Sequence, residues 1–376
     1  MKTKLQQHSK FQQDKTDFET NSELNAEFRA VFKNASKTYF YSSLFFPKKI
    51  RQEINILYAF VRTADDFVDS IPANSVGFFA FKNYYLQNSK VSSKSKNCEQ
   101  ISPISPISPN LQLNFDQTKF TKADQNVDKS KQTKNVEKSK ENPNLEILEI
   151  KTKIENKNHA NLKEKSHNSN QKLEFWQKIV LAFVDLEERL EFEKSWTLAF
   201  LESMESDLSV QIYPTINETC KYIYGSANVI GFFMAKILKL PPESYEYAGF
   251  LGQSFQYINF VRDIAEDLEL GRCYFPQELL RECNLQSLKL TETRQKPEEF
   301  AKFVKICLNQ YKIWQTEAEK GFKFFPKKYK IAIKTASDMY KWTAKIIAKD
   351  PFIVYQKKIK PQKRRVLFTG LINCLT

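Results

Sequence analysis

Two pairs of aspartates stand at helical spacing, in Arg62-Thr-Ala-Asp65-Asp66-Phe-Val-Asp69 and in Arg262-Asp263-Ile-Ala-Glu-Asp267. An i,i+4 spacing puts both carboxylates of a pair on one helix face, about 5–6 Å apart at Cβ. Like charges at that spacing cost a helix a few tenths of a kcal/mol unless a cation neutralises them. Carboxylate oxygens are hard ligands and suit Mg²⁺, which keeps several waters and takes one or two carboxylates together with substrate phosphates. The polar stripe around the first pair runs through Tyr58, Arg62, Asp65, Asp66 and Asp69, and that around the second through Gln256, Asn259, Asp263 and Asp267. A solvated face with an Arg62–Asp66 ion pair is the plain alternative. Phe67, Val68, Ile264 and Ala265 lie between the acids, however, so two polar stripes facing an internal cavity fit the pattern better.

Two facing acidic helices with metal between them suit the ionisation of an allylic diphosphate. The metal neutralises the leaving diphosphate, and cationic side chains such as Lys37, Arg62 and Arg262 share its charge. The carbocation left behind needs an apolar pocket without water, and aromatic faces stabilise it. The chain contains 31 Phe. Most belong to the core; Phe40, Phe232, Phe233 and Phe255 are expected to line a substrate tunnel.

The elements that must hold these groups are helices. Only 8 of 376 residues are Gly, few for a fold built on tight turns. Neither G-x-x-x-x-G-K-[ST] nor G-x-G-x-x-G occurs. No segment alternates with period two between hairpin turns, so no sheet is expected. Hydrophobic residues make up 41% of the chain, enough for a large core. The reading is an all-α, single-domain helical bundle with a central apolar cavity, formed by residues 24–88 and 173–376. Residues 1–23 read as a disordered tail. Residues 89–172 are rich in Lys, Asn and Ser, with 16 Lys against 10 acids and an Ile-Ser-Pro repeat. Such a composition cannot bury enough apolar surface to offset its ordering entropy, and the segment reads as a disordered insertion.

The net charge is +14. Because much of the excess sits in that insertion and no recognisable nucleic-acid module is present, nucleic-acid binding is not expected. The six Cys include no C-x-x-C pair and there are three His, which argues against a zinc site and for reduced thiols. The polar N-terminus has no apolar signal region, and no apolar run reaches the ~18 residues of a membrane span. A cytoplasmic protein attached peripherally to a membrane through basic and apolar surface is expected.

Five stretches resemble the squalene/phytoene synthase family of head-to-head prenyl transferases: Ala35-Ser-Lys-Thr-Tyr39 with Leu44-Phe-Phe-Pro47, the first aspartate motif from Leu57, Tyr222-Ile-Tyr-Gly-Ser-Ala-Asn-Val-Ile-Gly231, the second motif from Gln256 with Gly271-Arg-Cys-Tyr-Phe-Pro276, and Tyr340 to Lys358. Their wording is most similar to prokaryotic phytoene synthases. The resemblance implies an isoprenoid-synthase helical fold and Mg²⁺, with Mn²⁺ as a substitute, held by Asp65, Asp69, Asp263 and Asp267. It implies diphosphate contacts from Ser36, Lys37, Tyr58, Arg62, Gln256, Asn259 and Arg262. Tyr222 would stand near the reacting carbons, while Tyr340 and Lys358 would reach back to a diphosphate. The implied reaction joins two geranylgeranyl diphosphates to phytoene. Alternatives are a squalene or dehydrosqualene synthase using farnesyl diphosphate, with NADPH only for squalene, and a non-catalytic assembly protein. Three positions depart from the family's usual residues: Ala35 for His, Asn228 for Gly and Lys358 for Arg.

Overall fold

Helices carry nearly all the regular structure, as the scarcity of glycine and the long 3.6-residue apolar stripes require. The computed structural model describes residues 23–89, 173–210 and 212–375. Apart from their border residues, the expected N-terminal tail and the expected insertion lie outside the described residues.

In chain order the helices are α1 (23–35), α2 (Lys37–Ser43), α3 (Lys48–Asp69), α4 (Ser75–Asn88), α5 (Phe175–Arg189), α6 (Lys194–Ser206), α7 (Ile216–Ile223), α8 (Val229–Ile237), α9 (Tyr245–Arg262), α10 (Ile264–Glu269), α11 (Gln277–Glu282), α12 (Leu290–Gln295), α13 (Pro297–Lys320), α14 (Lys327–Lys349), α15 (Ile353–Gln356) and α16 (Lys363–Leu375). Their starts carry the expected chemistry. Ser36 caps α2 by accepting from the Tyr39 amide, Asn74 caps α4 through the Gly77 amide, and Thr215 forms a capping box with Glu218 at α7. Helix α9 is central, packed against α13, α8 and α14. Beside it, Phe60 of α3 stacks on Phe183 of α5 at 3.8 Å and meets Phe81, Tyr85 and Phe200, a fully buried aromatic knot.

Three features differ from the expectation of uninterrupted helices. A parallel pair of short strands joins β1 (Ile212–Tyr213) to β2 (Cys273–Pro276). Strands this short leave no alternating pattern to read. The second acidic helix ends at Arg262 and restarts at Ile264, with Asp263 between at φ −103°, ψ 15°. Arg262 grips the carboxylate of the adjacent Asp263 with two bonds of 2.5 and 2.8 Å; neighbouring residues do not face each other on a regular helix, so that grip goes with the break. Residues Tyr224–Asn228 between α7 and α8 form a π-helical turn, a widening often found at functional sites.

Close helix approach explains two glycines. A Cβ on Gly225 would stand 2.2 Å from the Ala199 carbonyl oxygen, and one on Gly231 would stand 2.1 Å from that of Ala248. Backbone cannot step aside as a flexible side chain can. In Gly231→Ala, the helix-propensity gain of about 1 kcal/mol is opposed by overpacking that costs about 1–3 kcal/mol or more. Urea unfolding should show a net loss of roughly 1–2 kcal/mol; a stabilised variant would mean that α8 and α9 can separate freely.

Candidate active site

A cavity of about 350 Å³ opens between α3, the α7–α8 segment, α9 and the ends of α13 and α14. Its polar end is lined by Tyr58, Arg62 and Asp65 from α3, by Gln256 and Asn259 from α9, and by Tyr222. Helical spacing puts each group on one face. Most of the remaining wall is apolar, including Phe46, Leu251, Phe255, Phe322, Ile333 and Ala336. The expected tunnel aromatics divide. Phe255 lines the cavity, whereas Phe40, Phe232 and Phe233 are buried in the core. There Phe40 packs edge-on against Phe32, Phe232 lies against Trp196, and Phe233 meets Phe183 and Phe192. Phe232 and Phe233 stand in an apolar run, whereas Phe255 stands beside the polar stripe of Gln256 and Asn259, and that stripe faces the cavity.

The acids at the mouth share one electrostatic field. Burial, and then the charge of Asp69, push the Asp65 carboxyl up to about 7. Burial, Asp263 and Asp69 together raise Asp267 well above the usual carboxylate range. Asp69 thus acts on acids of both motifs, which lie near each other. Cations interleave with them. Arg62 bonds Asp65 at 2.6 Å and Asp66 at 2.5 Å, so the surface ion pair exists alongside the inward stripe. Lys358 pairs with Glu266 and lies 3.7 Å from Asp263. Tyr340 is buried, stacked on Phe255 at 4.2 Å and 5.7 Å from the Tyr39 ring. Tyr58 stacks on Phe32 at 4.0 Å. Ser36 stays at the α2 cap and Lys37 is exposed at the start of that helix.

Sequence reasoning singled out neither Asp207 nor the full role of Arg272 and Tyr274. Asp207 is buried at the end of α6. It accepts from the Tyr222 hydroxyl at 2.7 Å and the Tyr274 hydroxyl at 2.9 Å. Arg272 is 6% exposed. It donates to Asp69 at 2.6 Å and to the Val68 carbonyl at 2.7 Å, closing the C-terminus of α3 where cations are favoured. Tyr274 stacks on Tyr222 at 4.9 Å and on Phe260 at 4.4 Å. Asp207 lies in an ordinary-looking Ser-Asp-Leu-Ser run with no periodic or motif signal.

Could these residues hold a divalent cation? Among the described residues, no three or more His, Cys, Asp or Glu side chains close into a ready-made metal cage. The donors at the mouth are hard oxygens, and the buried Asn259 Oδ1 has no partner. Such a set fits an ion that takes one or two carboxylates and completes its shell with water and substrate phosphate.

An all-α bundle in which two helices bearing aspartate motifs line the polar end of an apolar cavity defines the isoprenoid-synthase class. The fold is shared with solved structures. A dehydrosqualene synthase bound to a ligand superimposes with a TM-score of 0.63 at 15% identity, over 95% of this chain and 97% of that one. A squalene synthase from Alicyclobacillus acidocaldarius gives 0.55 at 13%, over 89% and 96%. The sequence profile of the squalene/phytoene synthase family matches residues 32–76 and 120–367, and the chain belongs to that family. Over 140 residues it is 29% identical to the 4,4'-diapophytoene synthase of Staphylococcus haemolyticus, covering 37% of this chain and 46% of the relative. Over 176 residues it is 24% identical to the 15-cis-phytoene synthase of a Paracoccus species, covering 46% and 57%. Over 142 residues it is 30% identical to that of Enterobacter agglomerans, covering 38% and 48%. The chain thus spans about half the length of the curated relatives it matches.

The Asp207 pair of bonds has a pH signature. Burial raises its carboxyl from 3.8 to about 6, so between those values the folded state keeps a proton that the unfolded chain releases. This contribution to stability is full below pH 3.8 and is lost as pH rises through about 6. Asp207→Asn should therefore cost more stability at pH 4 than at pH 7, read by chemical unfolding. An equal loss at both would count against a proton held at Asp207.

Proposed function

We propose that the protein condenses two molecules of geranylgeranyl diphosphate head to head, through a cyclopropyl diphosphate intermediate, to phytoene, with release of two diphosphates. The observation that carries this reading is that both aspartate-motif helices line the polar end of one apolar cavity, α3 through Tyr58, Arg62 and Asp65 and α9 through Gln256 and Asn259. Asp65, Asp69, Asp263 and Asp267 are the groups that would hold Mg²⁺, or Mn²⁺ in its place. When bound, the metal neutralises the diphosphate and makes it a better leaving group.

The chain's own residues divide the remaining work. Arg62, Arg262, Lys358 and Lys37 place cations where diphosphate charge accumulates, and Ser36, Gln256 and Asn259 offer polar contacts beside them. Apolar walls hold the prenyl chains and exclude water from the cation. Tyr39, Phe255 and Tyr340 present aromatic faces near the polar end. Burial and the Asp207 charge keep Tyr222 a neutral phenol. Its proton is committed to Asp207, so the ring and oxygen stay fixed beside the cavity.

A second reading, condensation of two farnesyl diphosphates, is favoured by the likeness to the 4,4'-diapophytoene synthase of Staphylococcus haemolyticus. Squalene formation would add NADPH; dehydrosqualene formation would not. The non-catalytic reading is disfavoured because both aspartate pairs stand in place.

Purified protein with Mg²⁺ should convert geranylgeranyl diphosphate to phytoene without NADPH. Dehydrosqualene from farnesyl diphosphate, or squalene once NADPH is added, with no phytoene from geranylgeranyl diphosphate, would move the assignment to the second reading. Asp65→Ala and Asp263→Ala should each lower turnover by at least about 100-fold while circular dichroism keeps its helical signal. Near-native rates in either variant would remove the aspartates from the chemistry.

A further inference from the structure

Helix α16 is amphipathic in an unusual sense: its outward face is apolar. Val366, Gly370 and Asn373 are buried beneath it. Asn373 donates to Asp338 at 2.9 Å and to Thr335 at 3.3 Å. Gly370 lies so close to Phe45 that a Cβ would stand 2.0 Å from the ring. These contacts lock the rotation of the helix against α14 and the end of α2. On the opposite arc, Phe368, Leu371, Ile372 and Leu375 are 65%, 61%, 45% and 89% exposed. Helical spacing aligns them into one stripe. Four large apolar side chains on one exposed stripe mark an interaction surface.

The stripe is bordered by positive charge. From Lys357 to Arg365 six of nine residues are Lys or Arg and none is acidic. Lys358 turns inward to Glu266. Lys357, Lys360, Lys363, Arg364 and Arg365 have no carboxylate partner among the described residues. Arg365 lies over the Trp342 ring at 4.8 Å and Lys363 over that of Tyr41 at 5.2 Å, which holds their stems against the body. Trp342, Ile346, Lys357, Lys360, Arg364 and Phe368 line one open groove, so the basic run and the apolar stripe form a continuous surface.

We propose that this surface, α16 with the basic run before it, docks the protein onto an anionic lipid bilayer. The charge argues for lipid over a second copy. A two-fold interface would set each basic run against an equivalent surface of the same sign. A bilayer with anionic headgroups instead satisfies both halves, taking the cations at the headgroup level and the four apolar side chains below it. Either signal alone gives weak, reversible attachment, and the two together make it stable. Helix α16 packs on α2, whose Ser42 and Ser43 line the cavity, so α2 stands between the docked helix and the apolar chamber. The docking rests on none of the assignments at the aspartates.

The test is co-sedimentation of the full chain with vesicles of phosphatidylcholine alone or with added phosphatidylglycerol. Binding should favour the anionic vesicles by tenfold or more and weaken as salt is raised. Arg364→Gln with Arg365→Gln should lower the anionic partition about tenfold or more, at roughly fivefold per charge. Phe368→Ser with Leu371→Ser and Leu375→Ser should lower it comparably. All these side chains are exposed, so melting curves should not move. Equal binding to both vesicle types, no binding to either, or variants that bind like the parent would overturn the proposal. So would a dimer in sedimentation velocity that the serine variant dissociates while vesicle partition stays unchanged.

Discussion

The contact on which the site depends is the buried guanidinium of Arg272. It joins Asp69 and the last carbonyls of α3 to the strand that follows the second aspartate motif. The two motifs are about 200 residues apart in sequence, and mutual repulsion of their carboxylates would drive them apart. A planar cation with several fixed donors can satisfy an aspartate, a helix end and a tyrosine at once, which a lysine could not. Backbone bonds reinforce it: the Arg272 amide donates to the Asp267 carbonyl at 2.8 Å, and Thr219 donates to the Tyr274 carbonyl at 3.0 Å. The short β1–β2 pair belongs to the same clasp and holds the strand beside α7.

Around this clasp, local disorder in the regular structure coincides with chemistry. Helix α9 breaks at Asp263, where Arg262 turns to grip its neighbour, and a π-turn widens the chain beside Ser226 and Ala227 in the cavity wall. Elsewhere the helices are conventional and their packing tight enough that backbone carbonyls touch glycines. Rigid walls and a polar, charge-dense mouth therefore come from different parts of the same helices. Burial needed to make the cavity apolar is the same burial that raises the pKa values of Asp65 and Asp267.

The helical class was legible because it is periodic, and so was the part of each polar stripe that lines the cavity, Gln256 and Asn259 on α9 among them. Tyr58, Arg62 and Asp65 recur on one face, and apolar residues between the acids mark the opposite one. Asp207 left no such trace: a single acid in a short loop acquires its role only when the fold brings Tyr222 and Tyr274 to it. The fate of individual phenylalanines was illegible for a related reason. Phe233 stands in a wholly apolar run and Phe255 between Ser254 and Gln256, yet both are buried, and that Phe233 is shut off from the cavity depends on where α5 and α6 fill space. The break at Asp263 was hidden because hydrophobic periodicity continues across it.

The family departures can be weighed on the same physical terms. Asn228 sits in the π-turn, where its amide reaches Gln253 at 3.4 Å and two glycines of α9 make room: Gly252 stands against Ala227, and Gly249 faces Asn228 itself. The extra side chain is thus accommodated by the facing helix, although its Oδ1 is left without a partner. Lys358 presents a point charge where a guanidinium could form a fork. It lies between Glu266 and Asp263 and therefore draws on the charge of the second motif. Under the proposed function, an incoming diphosphate would compete with those carboxylates for it, unless a cation on Asp263 released the lysine at the same moment. That coupling would tie anion binding at Lys358 to the state of the aspartates, so under the same proposal this departure bears on substrate capture more than on the walls of the cavity.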